Sequence, residues 1–212
     1  MKRVYFSDFD GTITKIDSTD AMVHTFAKNG WQKYILKWGT GELSTQECTQ
    51  EIFRSFHPTK KELASFLDTI PIDETFKTFI NYVNSRNEYL YILSDGFDFN
   101  IDIILKKAKI NNLKIYSNHL IEGNNSYNAT YPYASQCGKC GTCKKDLIHK
   151  LKGDANEIIY IGDGYSDICA CQCADIIFAK EHLLKYCQTQ GIPVNPYNSF
   201  DNIIVKLLNN KQ

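Results

Sequence analysis

A chain of 212 residues has room for one full-sized core and a modest insertion, and with 24 basic against 24 acidic residues it has no basic excess to grip nucleic acid or an anionic membrane. Its 43% hydrophobic content is too high for disorder, yet no stretch approaches the ~20 apolar residues of a membrane span. The start, Met1 to Thr12, lacks the apolar run of a signal peptide, so the expectation is a cytoplasmic, soluble protein whose eight cysteines are thiols or metal ligands rather than staples.

Short apolar runs alternate with helical patterns along the chain, the rhythm of a parallel sheet wrapped by helices. The first run, Val4–Ser7, leads into Asp8-Phe9-Asp10-Gly11-Thr12. Two carboxylates two residues apart at a strand end repel each other unless a cation sits between them, and Gly11 permits a tight departure from the sheet. An Asp-x-Asp met at random reads as a pair of solvated turn acids; behind a buried strand and before Gly-Thr that reading weakens. Residues 15–74 carry helix signals and no convincing strand. Asp17 or Ser18 could cap one helix, and Ser44-Thr-Gln-Glu47 and Thr59-Lys-Lys-Glu62 both fit a capping box. This predicts a helical cap at 15–74 inserted into a core formed by 1–14 and 75–212.

Phe76, Phe79, Ile80 and Val83 have the spacing of a helix returning to the core. The second run, Tyr89–Leu93, leads to Ser94-Asp95-Gly96, where a hydroxyl and backbone N–H groups can hold an anion; a plain turn serine is the alternative. Ile101, Ile104, Leu105 and Ala108 repeat the helical spacing. Lys114–Ser117 is a third run, and a Gly-Asn-Asn-Ser turn between Leu120 and Ala134 predicts a hairpin. Lys144 then opens a helix, where its charge opposes the helix dipole at a cost of a few tenths of a kcal/mol. A residue set against local preference hints at function, although a surface lysine is the commoner reading. Ile158–Ile161 leads into Gly162-Asp163-Gly-Tyr-Ser-Asp167, two more acids at a strand end and helix start. Cys169, Cys171 and Cys173 follow in a predicted helix, with Cys169 and Cys173 on one face as small core hydrophobes. Ile176–Ala179 is the last run.

Each signal has a bland explanation, but Asp8-x-Asp10-x-Thr12, Ser94, Lys144 and Gly162-Asp163-x-x-x-Asp167, in this order, resemble the haloacid dehalogenase (HAD) superfamily along essentially the whole chain. Within it the chain is similar to the phosphoserine-phosphatase-like group. The resemblance implies an α/β fold, a Rossmann-like parallel sheet with flanking helices and an inserted helical cap. It also implies Mg²⁺-dependent hydrolysis of a small phosphomonoester through an aspartyl-phosphate. Asp8 would be the nucleophile and Asp10 the acid and then the base. Ser94 and Lys144 would bind phosphate. Asp8, Asp163 and the Asp10 carbonyl would hold the metal, with Asp167 orienting ligands behind it. Tyr131-Pro-Tyr, Asp98-Phe99 and Cys143-Lys144 resemble the branch acting on the methionine-salvage enol-phosphate. Ser94-Asp95-Gly96 and Cys143-Lys144 also resemble a branch acting on phosphoethanolamine and phosphocholine; phosphoserine and pyridoxal phosphate are further alternatives.

Two departures matter. Asp95 stands where phosphoserine phosphatases have glycine, and either turns away or meets a cationic substrate group. Their carboxylate-binding cap arginine aligns with Gln50, with Arg54 one turn on, which disfavours a serine-like substrate. Cys137-Gly-Lys-Cys140-Gly-Thr-Cys143 resembles half of a structural zinc site that His119, His149 or a remote cysteine could complete, the alternative being a reduced Gly-rich loop. Phosphotransfer to another acceptor, and a non-enzymatic metal-binding or regulatory module on a phosphatase scaffold, stand beside the hydrolase reading.

Overall fold

Five consecutive buried residues, Arg3–Ser7, form strand β1 of the computed structural model, which describes residues 2–124, 126–136 and 138–209. β1 is buried on both faces and has parallel neighbours on both sides, β2 (Tyr89–Phe97) and β5 (Glu157–Gly162). β3 (Lys114–Gly123) extends the sheet past β2, and β6 (Ile176–Ala179) and β7 (Asn195–Pro196) extend it past β5. β4 (Ser126–Thr130) pairs antiparallel with β3, giving seven strands in the order β4-β3-β2-β1-β5-β6-β7. The sheet is therefore mixed: the expected parallel sheet with one antiparallel edge. The third predicted strand and the predicted hairpin belong to one element, because β3 continues past Ser117 to Gly123 before returning as β4.

Between β1 and the next core helix lie α1 (Ser18–Phe26), α2 (Gln32–Gly39), α3 (Thr45–Phe53) and α4 (Lys60–Leu67). Asp17 caps α1 by accepting from the Asp20 N–H, and both predicted capping boxes form, Ser44 with Glu47 and Thr59 with Glu62. α2 carries no such start signal. Trp31 at its N-cap position makes no side-chain cap bond, and none of its residues is buried. Tilted and edge-on rings tie this segment to the sheet: the Phe53 ring lies 5.7 Å from that of Phe97 in β2, and the Phe56 ring 5.3 Å from that of Tyr127 in β4.

Alternation along the strands feeds two cores. Tyr5, Ile92, Ile159 and Ile161 face one side, against α5 (Phe76–Asn84), α6 (Asp98–Lys107) and α10 (Phe200–Asn209). Val4, Phe6, Tyr91, Leu93 and Tyr160 face the other, against α7 (Lys144–Leu151), α8 (Ile168–Cys171) and α9 (Glu181–Thr189). The cysteine face predicted after Asp167 is corrected here. α8 ends at Cys171, so Cys173 is not helical; Cys169 is exposed and it is Cys171 that is buried. Helix periodicity fails because a 3₁₀ turn, Tyr165–Asp167, precedes the four-residue helix. Among the described residues, no helix is long and apolar enough to cross a membrane.

The segment from β1 to α5 is closed at its base. Thr14 bridges Ile72, the Lys15 N–H donates to the Pro71 carbonyl at 2.9 Å, and the Asp73 N–H donates to the Ile13 carbonyl at 2.8 Å. Asp73 is buried and accepts from the Thr75 N–H, the Thr75 hydroxyl and the Phe200 N–H, tying the starts of α5 and α10 together. Asp73→Ala leaves the Phe200 N–H without its acceptor and is expected to lower unfolding free energy by about 1–3 kcal/mol. Urea denaturation with an unchanged m-value checks this.

Candidate active site

The chain leaves β1 at Ser7 and coils at once. The Asp8 N–H still donates to the Ile161 carbonyl of β5, while the Phe9 carbonyl accepts from the N–H groups of Thr12, Ile13 and Thr14. Gly11 makes the turn at φ +72°, and a Cβ there would stand 2.3 Å from Asp163 Oδ2. Only glycine combines that conformation with that approach. Thr12 Oγ1 donates to Asp163 Oδ1 at 2.6 Å, so the loop after β1 is fastened to the loop after β5.

This turn sets Asp8 beside the second acidic loop. Asp8, Asp163 and Asp167 each offer a carboxylate oxygen within 4.8 Å of the others. Asp167 is fully buried and engaged on both oxygens. Oδ1 accepts from Lys144 Nζ at 2.6 Å and Tyr160 Oη at 2.5 Å; Oδ2 accepts from the Asp163 and Gly164 N–H groups at 2.9 Å each. Two carboxylate oxygens offer about four lone-pair positions, so these donors satisfy it. Asp8 and Asp163 each engage a side-chain donor through Oδ1 alone in this network, Lys144 at 2.7 Å and Thr12 at 2.6 Å. They are the carboxylates suited to contact a hard cation directly, with Asp167 bracing the loop from behind.

Lys144 is the counter-charge. Its ammonium group bonds Asp8, Asp167 and the Ser166 hydroxyl, and the two carboxylates, Asp167 and Asp8, outweigh the cost of burial and hold its pKa above the usual lysine value. Asp10 lies on the other flank. Its Oδ1 accepts from the Ser18 N–H at 2.8 Å, whereas the buried Oδ2 has no partner. A Cβ on Gly96 would come within 2.2 Å of that Oδ2, so the residue after the Ser94-Asp95 pair must be small. Ser94 is fully buried, and its hydroxyl accepts from the Gly96 N–H at 3.0 Å. The structure thus brings Asp8, Asp10, Ser94, Lys144, Asp163 and Asp167 to the carboxyl ends of adjacent parallel strands, where α/β folds bind ligands.

Burial and crowding reshape the acids. Desolvation, with Asp167 adding to it, pushes Asp8 well above the ordinary carboxylate range. Desolvation and then Asp17 raise Asp10 to about 7, and desolvation raises Asp163 to about 6. Three partners escaped sequence reading. Tyr160 sits in a buried apolar strand, where it is indistinguishable from core; Ser166 lies between two acids of the motif. Lys180 follows β6 and donates to the Thr12 carbonyl at 3.3 Å. Asp95 turns away from open solution: its Oδ1 accepts from the Thr142 N–H at 2.8 Å and from Asn118 Nδ2 at 3.3 Å.

The cysteine loop gives no support to zinc. Cys137 lies outside the described residues, and among those described no metal-compatible cluster includes Cys140 or Cys143. The histidines considered as completing ligands are engaged elsewhere, His119 with Asp98 at 2.7 Å and His149 with the Cys173 thiol at 3.6 Å. Arg54 is exposed and pairs with Glu51 at 2.6 Å.

A stability prediction follows from the raised acids. The folded protein holds protons on Asp10 and Asp163 that the unfolded chain has released, so metal-free stability falls as pH rises from about 4 through 7. The expected result is a melting temperature in chelator that drops across this window and recovers on adding Mg²⁺ at pH 7, with a flatter profile for Asp10→Asn. Melts that ignore both pH and metal contradict it.

Comparison with known proteins gives the same picture. The Putative Phosphatase family matches residues 3–183. The 2-hydroxy-3-keto-5-methylthiopentenyl-1-phosphate phosphatase of Bacillus pumilus is 34% identical over 204 residues, spanning 94% of this chain and 88% of its own. That of Bacillus cereus is also 34% identical, over 93% and 92%. Among solved structures, a phosphoserine phosphatase captured as a phospho-aspartyl intermediate analogue superposes with a TM-score of 0.72 at 16% identity, covering 97% of this chain and 98% of its own. A phosphoserine phosphohydrolase-like protein from Francisella tularensis does so at 0.70 and 19%, covering 97% and 99%. With a family match over most of its length and relatives at this identity, the chain belongs to the Putative Phosphatase family of HAD-fold phosphoric monoester hydrolases.

Proposed function

We propose that the protein hydrolyses a small phosphorylated metabolite, with Asp8 as nucleophile and Asp10 as proton carrier. The observation that carries this reading is Lys144 drawn to Asp8 and Asp167, beside an Asp10 oxygen that is buried and without a partner. An Asp8 oxygen attacks phosphorus as the bond to the leaving oxygen breaks, and Asp10 gives that oxygen its proton. Asp10 then takes a proton from water as the water attacks the same phosphorus, freeing Asp8 and inorganic phosphate. A carboxyl titrating at about 7 suits both halves of this cycle near neutral pH. Ser94 and Lys144 hold the transferring oxygens, Lys144 as a point charge. Mg²⁺ fits the oxygen set of Asp8, Asp163 and the Asp10 carbonyl, and when bound supplies charge neutralisation that the acids alone cannot. Asp167 orients Lys144 and the Asp163 loop.

Residues 15–74 form the cap in this reading, and its closure over Asp10 excludes water and selects the substrate. The paired chain at Thr14 and Ile72 is the natural hinge. The substrate we favour is the methionine-salvage enol-phosphate, 2-hydroxy-3-keto-5-methylthiopentenyl-1-phosphate, the compound in the names of the Bacillus relatives. Two observations favour it over phosphoserine and over the phosphoethanolamine and phosphocholine esters. Arg54 is exposed and pairs with Glu51, which weakens the case for a serine-like carboxylate. Asp95 is bonded to Thr142 and Asn118, which removes the reason to expect a cationic headgroup.

Phosphate release from this compound, phosphoserine, phosphoethanolamine, phosphocholine and pyridoxal phosphate, with Mg²⁺ and with excess chelator, tests the proposal. Release is expected only with metal, to be abolished by Asp8→Asn and lowered about 10²–10⁴-fold by Asp10→Asn. Full activity in Asp8→Asn would end it, and a phosphorylated acceptor in place of free phosphate would make the enzyme a transferase.

A further inference from the structure

A lysine at the first position of a helix is held against the helix dipole, so something other than local preference must fix where Lys144 leaves the chain. The two residues before Cys143 supply the anchor. The Thr142 N–H donates to Asp95 Oδ1 at 2.8 Å, and the Thr142 hydroxyl donates to Asn118 Oδ1 at 3.0 Å. Asn118 Nδ2 closes the ring by donating to the Asp95 carbonyl at 2.7 Å and to its Oδ1 at 3.3 Å. Thr142 and Asn118 are both fully buried. Three elements therefore meet in one polar knot: the end of β2 beside Ser94, β3, and the loop that delivers Lys144.

Gly141 makes the approach feasible. A Cβ there would lie 2.6 Å from Asn118 Nδ2, 2.7 Å from Asp95 Oδ1 and 2.8 Å from a ring carbon of Tyr131. A second tether follows at once, the Cys143 N–H donating to the Tyr133 carbonyl at 2.7 Å. Only an ionised carboxyl is acceptor alone, so at position 95 it can face backbone and amide donors together without presenting a donor of its own.

The geometry points to Asp95 as a positioning residue that acts through the Gly141–Thr142 backbone to set Lys144 where it grips the transferring phosphoryl group. The inference rests on the phosphatase reading of Lys144. Asp95 follows Ser94 directly in β2, so the residue next to the serine locates the lysine, and the two phosphate ligands are registered to each other. The negative charge of Asp95 is spent on these donors and does not oppose the substrate.

A double-mutant cycle tests this: wild type, Asp95→Ala, Lys144→Ala and the double variant, each checked for native circular dichroism. The readouts are kcat/KM for the best ester and the inhibition constant of inorganic phosphate. Asp95→Ala is expected to lose about 10- to 100-fold in kcat/KM, the range for residues that orient site ligands, and to weaken phosphate inhibition in step. In the Lys144→Ala background it should then cost less than about 2-fold, the coupling of neighbours that act as one unit. Losses that multiply in full would overturn the role of Asp95 while leaving Lys144 intact. A Lys144→Ala variant as active as wild type would overturn the phosphoryl grip itself and the proposal with it. A KM rise confined to amine-bearing esters, with phosphate inhibition unchanged, would make Asp95 a substrate contact instead. Should Asp95→Ala fail to fold, Asp95→Ser, which keeps a polar group but not the carboxylate that reaches the Thr142 N–H, runs through the same cycle: a loss that vanishes without Lys144 is expected, and no loss, or an additive one, refutes the proposal.

Discussion

Crowded negative charge governs this molecule. Asp8, Asp163 and Asp167 converge within 4.8 Å, Asp10 stands beside them, and Lys144 is the cation bonded into their midst. Such a cluster is unfavourable in any fold that does not answer each charge, since removing carboxylates from water and packing them together both favour neutralisation. The answers are specific. Asp167 is saturated by a lysine, a tyrosine and backbone donors, and Asp163 is fastened by Thr12. What is left over, on Asp8, Asp10 and Asp163, is the unspent capacity from which the proposed chemistry draws.

The sheet makes this crowding unavoidable and also tolerable. β1 and β5 are in-register parallel neighbours, Ser7 opposite Ile161, so the acids that follow each strand emerge side by side. β2 lies on the other flank of β1 and delivers Ser94. Because large buried side chains such as Tyr5, Phe6 and Tyr160 fix the strands from both faces, the acids cannot relax apart. Stability contributed by the two cores is thus partly offset at the rim. An enzyme that works through charge held in place has this as its physical signature.

Much of this was legible in the residues. Buried strands announced themselves as β-branched and aromatic runs, and the capping boxes at Ser44 and Thr59 marked helix starts because they encode their own hydrogen bonds. The residues that the fold brings together were visible because acids follow two short apolar runs, a serine closes a third, and a lysine opens a helix against its dipole. What stayed hidden needed partners far along the chain. α2 has no cap and no buried face to set its period. Tyr160 reads as core, yet its hydroxyl meets Asp167. The bonds of Asp95 depend on the path of a loop some 47 positions away, which no local pattern encodes. Of the two readings of the cysteine loop, the reduced Gly-rich one accords with the described residues, where Gly141 lets Thr142 come against Asp95.

The bridge between Thr14 and Ile72 has an evolutionary consequence. It brings the two ends of a long helical excursion to adjacent positions, so the chain enters and leaves that excursion through one paired stem. Changing the length of such an excursion is inexpensive, about 0.6 kcal/mol per doubling in chain-closure entropy. Residues above the stem that neither bond Asp10, as Ser18 does, nor pack on the sheet, as Phe53 and Phe56 do, are therefore free to diverge while the acids below keep their spacing. A lineage built on this plan can vary one appendage in length and sequence without rebuilding the sheet that carries the acids.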